Sequence, residues 1–230
     1  MSETTPHLAL PLMAAAQAQK HVTHNEALLL LDAAAQLGVI DRLRTVPPAA
    51  PQPGDRHIVA PGAGGEWAGH DNEIALHDGG GWRFLMPRVG WRAYVDSDAR
   101  ALQFDGTGWR DILVGSASGG RATLRVVEED LALAGAFVES SIAIPNRAIC
   151  LAVASRTLET ATGATAYEVG IAGETSKFGG LLSIAAGATN IGVIGPQAFY
   201  AATPLRITAL GGSFTGGRVR LVLSYFVFGI

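Results

Sequence analysis

The sequence predicts a mainly β protein: an N-terminal helix and a small Trp-rich β-hairpin module, followed by an antiparallel β-sandwich of jelly-roll type. Three observations predict it. A hairpin signature occurs twice, Asp78-Gly79-Gly80-Gly81-Trp82-Arg83 and, 27 residues later, Asp105-Gly106-Thr107-Gly108-Trp109-Arg110. Asp-Gly supplies the backbone freedom of a tight turn, and alternating runs on both sides supply the strands. Glycine is abundant (29 residues) and charge is sparse at 16%, against roughly 25% in typical domains. Finally, the chain beyond residue 120 breaks into about eight short apolar runs separated by turn residues, the spacing of a two-sheet sandwich.

Residues 1–45 read as an arm and a capped helix. Thr23-His24-Asn25-Glu26 has the form of a capping box, in which Thr23 and Glu26 each take the other's backbone amide. Leu28, Leu29, Leu31, Ala35 and Leu37 follow with helical periodicity, and Gly38 is the expected stop. The proline-rich stretch 46–54 continues neither helix nor central strand and should run extended. It opens the hairpin module, 46–114, which holds all four tryptophans: Trp67, Trp82, Trp91 and Trp109. Residues 115–120 have the composition of a flexible linker.

In the sandwich, 121–230, strands are expected at 123–127, 132–138, 148–154, 166–171, 181–184, 190–194, 206–210 and 218–228. The last is apolar on both faces, with Val219, Leu221, Leu223, Tyr225 and Val227 opposed by Val222, Phe226 and Phe228. Such a strand is central or lies against another copy of the chain. From Phe178 to Ile230 only Arg206, Arg218 and Arg220 are charged. Large apolar patches of that kind mark interfaces, so a homo-oligomer is expected.

Several functional classes are disfavoured. A net charge of −3 does not suit a nucleic-acid partner, which needs clustered Lys and Arg. No apolar run reaches 18 residues, so no membrane span is expected, and the N-terminus lacks a basic, apolar leader. One cysteine, Cys150, makes no intrachain disulfide and reads as a small buried hydrophobe. Synthesis and folding in a cytoplasm are expected.

Catalytic and metal constellations are equally thin. His21, His24 and Glu26 lack a third ligand at zinc-like spacing and read as residues ordering a helix start. His70-Asp71 and His77-Asp78 flank a short strand and read as turn residues. Glu128-Glu129-Asp130 reads as a solvated turn, since glycoside hydrolysis needs two carboxylates facing across a cleft. Neither a nucleophile elbow nor a phosphate loop is present. No catalytic residue, metal or cofactor is assigned.

The aromatic set remains. The tryptophans, with Phe84, Tyr94 and Phe104, can fill a small core. Alternatively one or two present a stacking face to a sugar ring, with planar polar groups beside it. The candidate glycan-binding residues are therefore Trp82, Trp109, Asp78, Asp105, Arg83 and Arg110.

One resemblance goes further. The run Leu8-Ala9-Leu10-Pro11-Leu12 precedes Ala16-Gln17-Ala18-Gln19-Lys20-His21-Val22-Thr23-His24-Asn25-Glu26-Ala27. Pro53-Gly54-Asp55-Arg56-His57-Ile58-Val59, Trp67-Ala68-Gly69-His70 and Gly81-Trp82-Arg83-Phe84 follow. Over about residues 6–114 this resembles an uncharacterised domain family of alphaproteobacterial prophages and gene transfer agents, the phage-like particles of Rhodobacter-type bacteria. Thr162-Gly163-Ala164-Thr165, Ser176-Lys177-Phe178-Gly179, Asn190-Ile191-Gly192-Val193-Ile194-Gly195-Pro196 and Phe199-Tyr200 resemble the carboxyl half of gene-transfer-agent members.

The resemblance implies a virion component, a head spike or fibre part on the particle surface that partners the capsid and helps bind host capsular polysaccharide. It would be a homo-oligomer, trimer or pentamer. An extended arm through Val22 would contact the capsid or a neighbouring spike. A structural connector without glycan contact, and a capsule depolymerase, stand as alternatives.

Overall fold

A computed structural model describes residues 4–14, 20–112, 114–116 and 118–229. The fold is mainly β, and the chain divides into two compact units meeting between Asp111 and Ile112.

Among its described residues the first unit contains one α-helix, α1 (Lys20–Ala34), and seven short strands. These are β1 (Gly38–Val39), β2 (Arg56–Ile58), β3 (Ile74–His77), β4 (Trp82–Leu85), β5 (Arg92–Val95), β6 (Arg100–Phe104) and β7 (Trp109–Arg110). They form an antiparallel meander, β2-β3-β4, and a four-stranded sheet, β1-β5-β6-β7, in which β1 runs parallel to β5. Each hairpin of the duplicated signature belongs to a different sheet. Two small cores result, one around Val59, Trp67 and Ala75, the other around Val39, Ile58, Val95, Leu102 and Trp109.

α1 has no strong apolar stripe, with Leu30 and Leu31 exposed and Asp32 and Ala33 buried. Its anchor is polar. Asp32 accepts hydrogen bonds from the Thr5 hydroxyl (2.7 Å) and the amides of Leu8 (2.6 Å) and His7 (3.1 Å). Arg56 donates to the Ala33 carbonyl at 2.9 Å, satisfying an orphan acceptor in the last turn. The arm is therefore not extended as expected: residues 4–14 fold into a loop closed by a Thr4–Pro11 bridge and docked on the helix. The helix also begins three residues before Thr23, which lies inside it rather than capping it. It stops at Ala34, before Gly38, with Gln36 in the left-handed region (φ 49°) ending the run.

The second unit is a sandwich. Its strands are β8 (Val114–Gly115), β9 (Arg121–Ala132), β10 (Phe137–Ile144), β11 (Ile149–Thr162), β12 (Ala166–Ile171), β13 (Glu174–Leu182), β14 (Thr189–Ala198), β15 (Thr203–Leu210) and β16 (Gly216–Gly229). All pairings within it are antiparallel. They nest: β9 pairs with β16, β10 with β15, β11 with β14 and β12 with β13. Two further pairings, β16 with β11 and β15 with β12, roll that long hairpin into sheets ordered β14-β11-β16-β9-β8 and β10-β15-β12-β13. This is jelly-roll topology, two Greek keys in two sheets.

The core between the sheets includes Ile144, Val153, Tyr167, Leu205, Ile207, Leu221 and Leu223, each 1% exposed or less. Full burial of such a side chain contributes about 1.5–3 kcal/mol. Cys150 is buried among them, and its burial pushes the thiol up to about 11.

Three local expectations are corrected. Residues 132–138 are not one strand: β9 ends at Ala132, Gly135 adopts φ 73°, and β10 begins at Phe137. Glu128-Glu129-Asp130 is not a turn but part of the second half of β9. Asp130 pairs with Arg220 across the strand at 2.6 and 2.9 Å, and Glu129 accepts the amides of Ser141 (2.8 Å) and Ile142 (3.1 Å) where β10 leaves register. Residues 115–120, expected as a linker, lie within the second unit. There the Ser116 amide donates to Gly120 (2.7 Å) in the turn joining β8 to β9.

β16 is a central strand, and its outward residues continue a sheet face. Across the strands, Ile191, Ala154, Val222 and Glu128 lie in one row and Val193, Ala152, Ser224 and Val126 in the next, with Phe226 beside Leu124. Ile191 and Val193 are about three-quarters exposed, at 75% and 73%.

Candidate functional site

The duplicated signature is a piece of turn chemistry used twice. In the first copy, between β3 and β4, Asp78 Oδ1 accepts the amides of Gly80 (2.9 Å) and Gly81 (3.1 Å), and Oδ2 accepts Arg83 Nε. In the second, between β6 and β7, Asp105 Oδ1 accepts the amides of Thr107 (2.8 Å) and Gly108 (2.9 Å), and Oδ2 accepts Arg110 Nε at 3.0 Å. Each Asp thus closes the turn with one oxygen and holds the arginine five residues on with the other. The glycine after each Asp sits at positive φ, 91° for Gly79 and 102° for Gly106, where a Cβ would be strained.

The tryptophans point inward. Trp109 is 7% exposed and donates its indole N–H to the Asn72 carbonyl at 2.9 Å. Trp82 is half-buried and meets Trp67 edge-on, with ring centroids 5.1 Å apart. His57, buried beside both, bonds Asp41 through Nδ1 at 3.0 Å, while its Nε2 and the Trp67 indole nitrogen have no partner among the described residues. The six candidate residues therefore fall into two separate hairpins, three in each, and no common aromatic face unites them.

Beside the second hairpin lies a pocket of about 220 Å³, lined by Arg42, Leu43, Ile58, Val59, Pro61, Asn72, Thr107, Gly108, Trp109 and Arg110. Only Trp109 and Arg110 among these were legible as candidates. Arg42 comes from the loop after β1 and Asn72 from the turn before β3. Asn72 holds a left-handed backbone (φ 65°), an uncommon conformation for a residue with a side chain. An Asn between polar turn residues is the one signal the sequence offers for it.

The charges around the pocket are paired. Arg42 Nε donates to Asp98 at 2.6 Å, and Arg100 bonds the same Asp98 oxygen at 2.9 Å and Asp111 at 3.2 Å. Burial raises the Asp98 carboxyl, but hydrogen bonds from Arg42, Arg100 and Ser97 outweigh it and hold it at about 2. The carboxyls of Asp32, Asp78 and Asp105 are lowered too: against the upward pull of burial, each is held down by its hydrogen bonds. A depressed folded-state value stabilises the fold above the unfolded value near 4, and that stability fades as pH falls toward 2. We therefore expect the first unit's melting temperature to drop between pH 4 and 2. All four tryptophans lie in that unit, so Trp fluorescence reports it alone. Asp98→Asn should melt lower than wild type at pH 6 and converge with it near pH 2. A constant gap across the range would refute the pairing.

Among known proteins, residues 24–110 match a family described as a protein of unknown function (DUF2793). That segment spans α1 from His24 through both hairpins. No curated protein matches significantly. Among solved structures, a chain of the cyanophage Pam1 capsid asymmetric unit is similar at 21% identity and a TM-score of 0.38, over 51% of this chain and 93% of that one. A likeness that distant bears on neither fold nor role.

Proposed function

We propose that the protein is a structural and adhesion component of a phage-like particle, a head-spike or fibre part that attaches to the capsid and helps bind host capsular polysaccharide. The observation that carries this reading is the long Gln19-Lys20-His21-Val22-Thr23-His24-Asn25-Glu26 string and the motifs after it, which resemble a prophage and gene-transfer-agent family. The outward sheet face bearing Ile191, Val193, Val126 and Leu124 supports packing against further copies of the chain, as a trimer or pentamer. The protein acts by binding rather than turnover.

A second reading, a connector with no glycan contact, is favoured by one observation: the carboxylates of Asp78 and Asp105 are spent within their own turns, on backbone amides and on Nε of Arg83 and Arg110. A pull-down of purified chain on host capsular polysaccharide separates the two, with immunogold imaging of particles as the second arm. Retention on polysaccharide together with gold on particle surfaces is the expected result. Gold without retention favours the connector, and unlabelled particles refute both. Release of new reducing ends from the polysaccharide would instead make the protein a depolymerase.

A further inference from the structure

We propose that the pocket beside the second hairpin is a monosaccharide subsite, taking one uncharged pyranose ring through its vicinal hydroxyls. The inference rests on the adhesion reading and names the chemistry of its contact. Size is the first argument. At about 220 Å³ the pocket lies below the roughly 300–1,000 Å³ of drug-sized sites, and it suits one sugar ring rather than an extended chain.

Polar groups are the second argument. Arg42 and Arg110 each spend Nε on an aspartate, Asp98 and Asp105, which fixes the guanidinium and leaves both terminal nitrogens without a partner among the described residues. The Asn72 side-chain amide has none either, and it stands over the same spot: a Cβ on Gly108 would lie 3.7 Å from both Arg110 NH2 and Asn72 Oδ1. Thr107 donates its hydroxyl proton to Asp105, so toward the pocket that oxygen accepts. Donors alone would suit an anion. Donors and acceptors side by side suit hydroxyl groups, each of which is both.

Charge is the third argument. Arg110 pairs with Asp105, and Arg42 shares Asp98 with Arg100, which also bonds Asp111, so three arginines stand beside three aspartates and the site offers oriented planar hydrogen-bonding groups with little net positive field. Among the apolar lining residues, Leu43 and Pro61 are exposed and offer the surface that a sugar's C–H face requires.

The test uses the full chain, ¹⁵N-labelled, with methyl α-D-glucopyranoside, methyl α-D-mannopyranoside and methyl α-D-galactopyranoside as probes and sodium sulfate as the anion control. The Trp109 indole N–H resonance should shift saturably with at least one glycoside, with a dissociation constant of about 1–10 mM, the weak range of a single small contact. Raising salt tenfold should change that constant less than twofold. Asn72→Gly keeps the left-handed backbone and the carbonyl that Trp109 uses, deleting only the amide; it should weaken binding at least fivefold, as should Arg42→Ala.

No saturable shift with any glycoside overturns the subsite, as does a sulfate response that is stronger and salt-dependent. The same two variants on capsular polysaccharide keep the readings apart. Full retention by both would place the contact elsewhere and leave adhesion standing. Glycoside binding without polysaccharide retention would sink adhesion and leave the pocket.

Discussion

Gly192→Ala should cost the second unit about 3–5 kcal/mol, because the added methyl meets backbone of two neighbouring strands. Gly192 lies in β14 opposite Val153 of β11, at the margin where one sheet of the sandwich meets β13 of the other. A Cβ there would overlap the Phe178 carbonyl oxygen and sit 2.7 Å from the Val153 carbonyl oxygen. Both obstacles are backbone, so no side chain can swing away. Moving β13 back would break the Asn190 side-chain bond to the Phe178 carbonyl (2.9 Å), and moving β14 out would break its ladder with β11. Gly195→Ala is the control, since a Cβ at that residue meets nothing within 4 Å. Urea denaturation followed by far-UV circular dichroism should show a large drop in midpoint for the first variant and almost none for the second. Equal midpoints would mean that the two strands are not in close approach.

Asp32→Ala should destabilise the first unit by about 3 kcal/mol. Three donors converge on that buried carboxylate, and removing it strands the Thr5 hydroxyl and the His7 and Leu8 amides, at roughly 1–3 kcal/mol for each group left buried and unpaired. Relaxation of the arm into water offsets part of that sum. Asp32→Asn keeps the shape and loses the charge, so its cost should be smaller. Trp fluorescence during urea unfolding measures both. The contact also changes how a truncation is read: deleting residues 2–22 removes Thr5, His7 and Leu8 together with the first residues of α1, so lost particle decoration would follow from a damaged unit alone. Asp32→Ala, should it unfold no more easily than wild type, would show that the docked arm contributes nothing.

What the sequence revealed, and what it hid, divides by range. Strands of the second unit were legible because alternation and turn residues are local; β12, β15 and β16 lie close to where the pattern put them. The Glu128-Glu129-Asp130 run was misleading because its partner, Arg220, is 90 residues away, and three adjacent carboxylates look solvated until the opposing strand is known. Residues 132–138 misled for the converse reason: the run is apolar, yet Gly135, at φ 73°, turns the backbone between the end of β9 and the start of β10. At the hairpins, Asp-Gly announced the turn, but the second carboxylate oxygen's grip on arginine is visible only in three dimensions. The pocket was hidden most thoroughly, since Arg42, Asn72 and Thr107 come from three loops with no shared motif.

The nested pairing of the jelly roll also sets an order of events. β9, the first long strand of the second unit, lies between β16 and β8, and β16 is the last strand of the roll. Closing the β9–β16 ladder means closing a loop of about ninety residues, and such non-local closure slows folding. While the chain leaves the ribosome, β9 waits with the core residues Val127 and Leu131 uncovered until its partner has been made. The first unit, whose ladders join neighbouring strands except for β1 with β5, is free to fold in the meantime. Vectorial synthesis therefore leaves the sandwich, not the hairpin module, as the half whose core stays open longest, and the half in which slowed translation before β16 is expected to cost most yield.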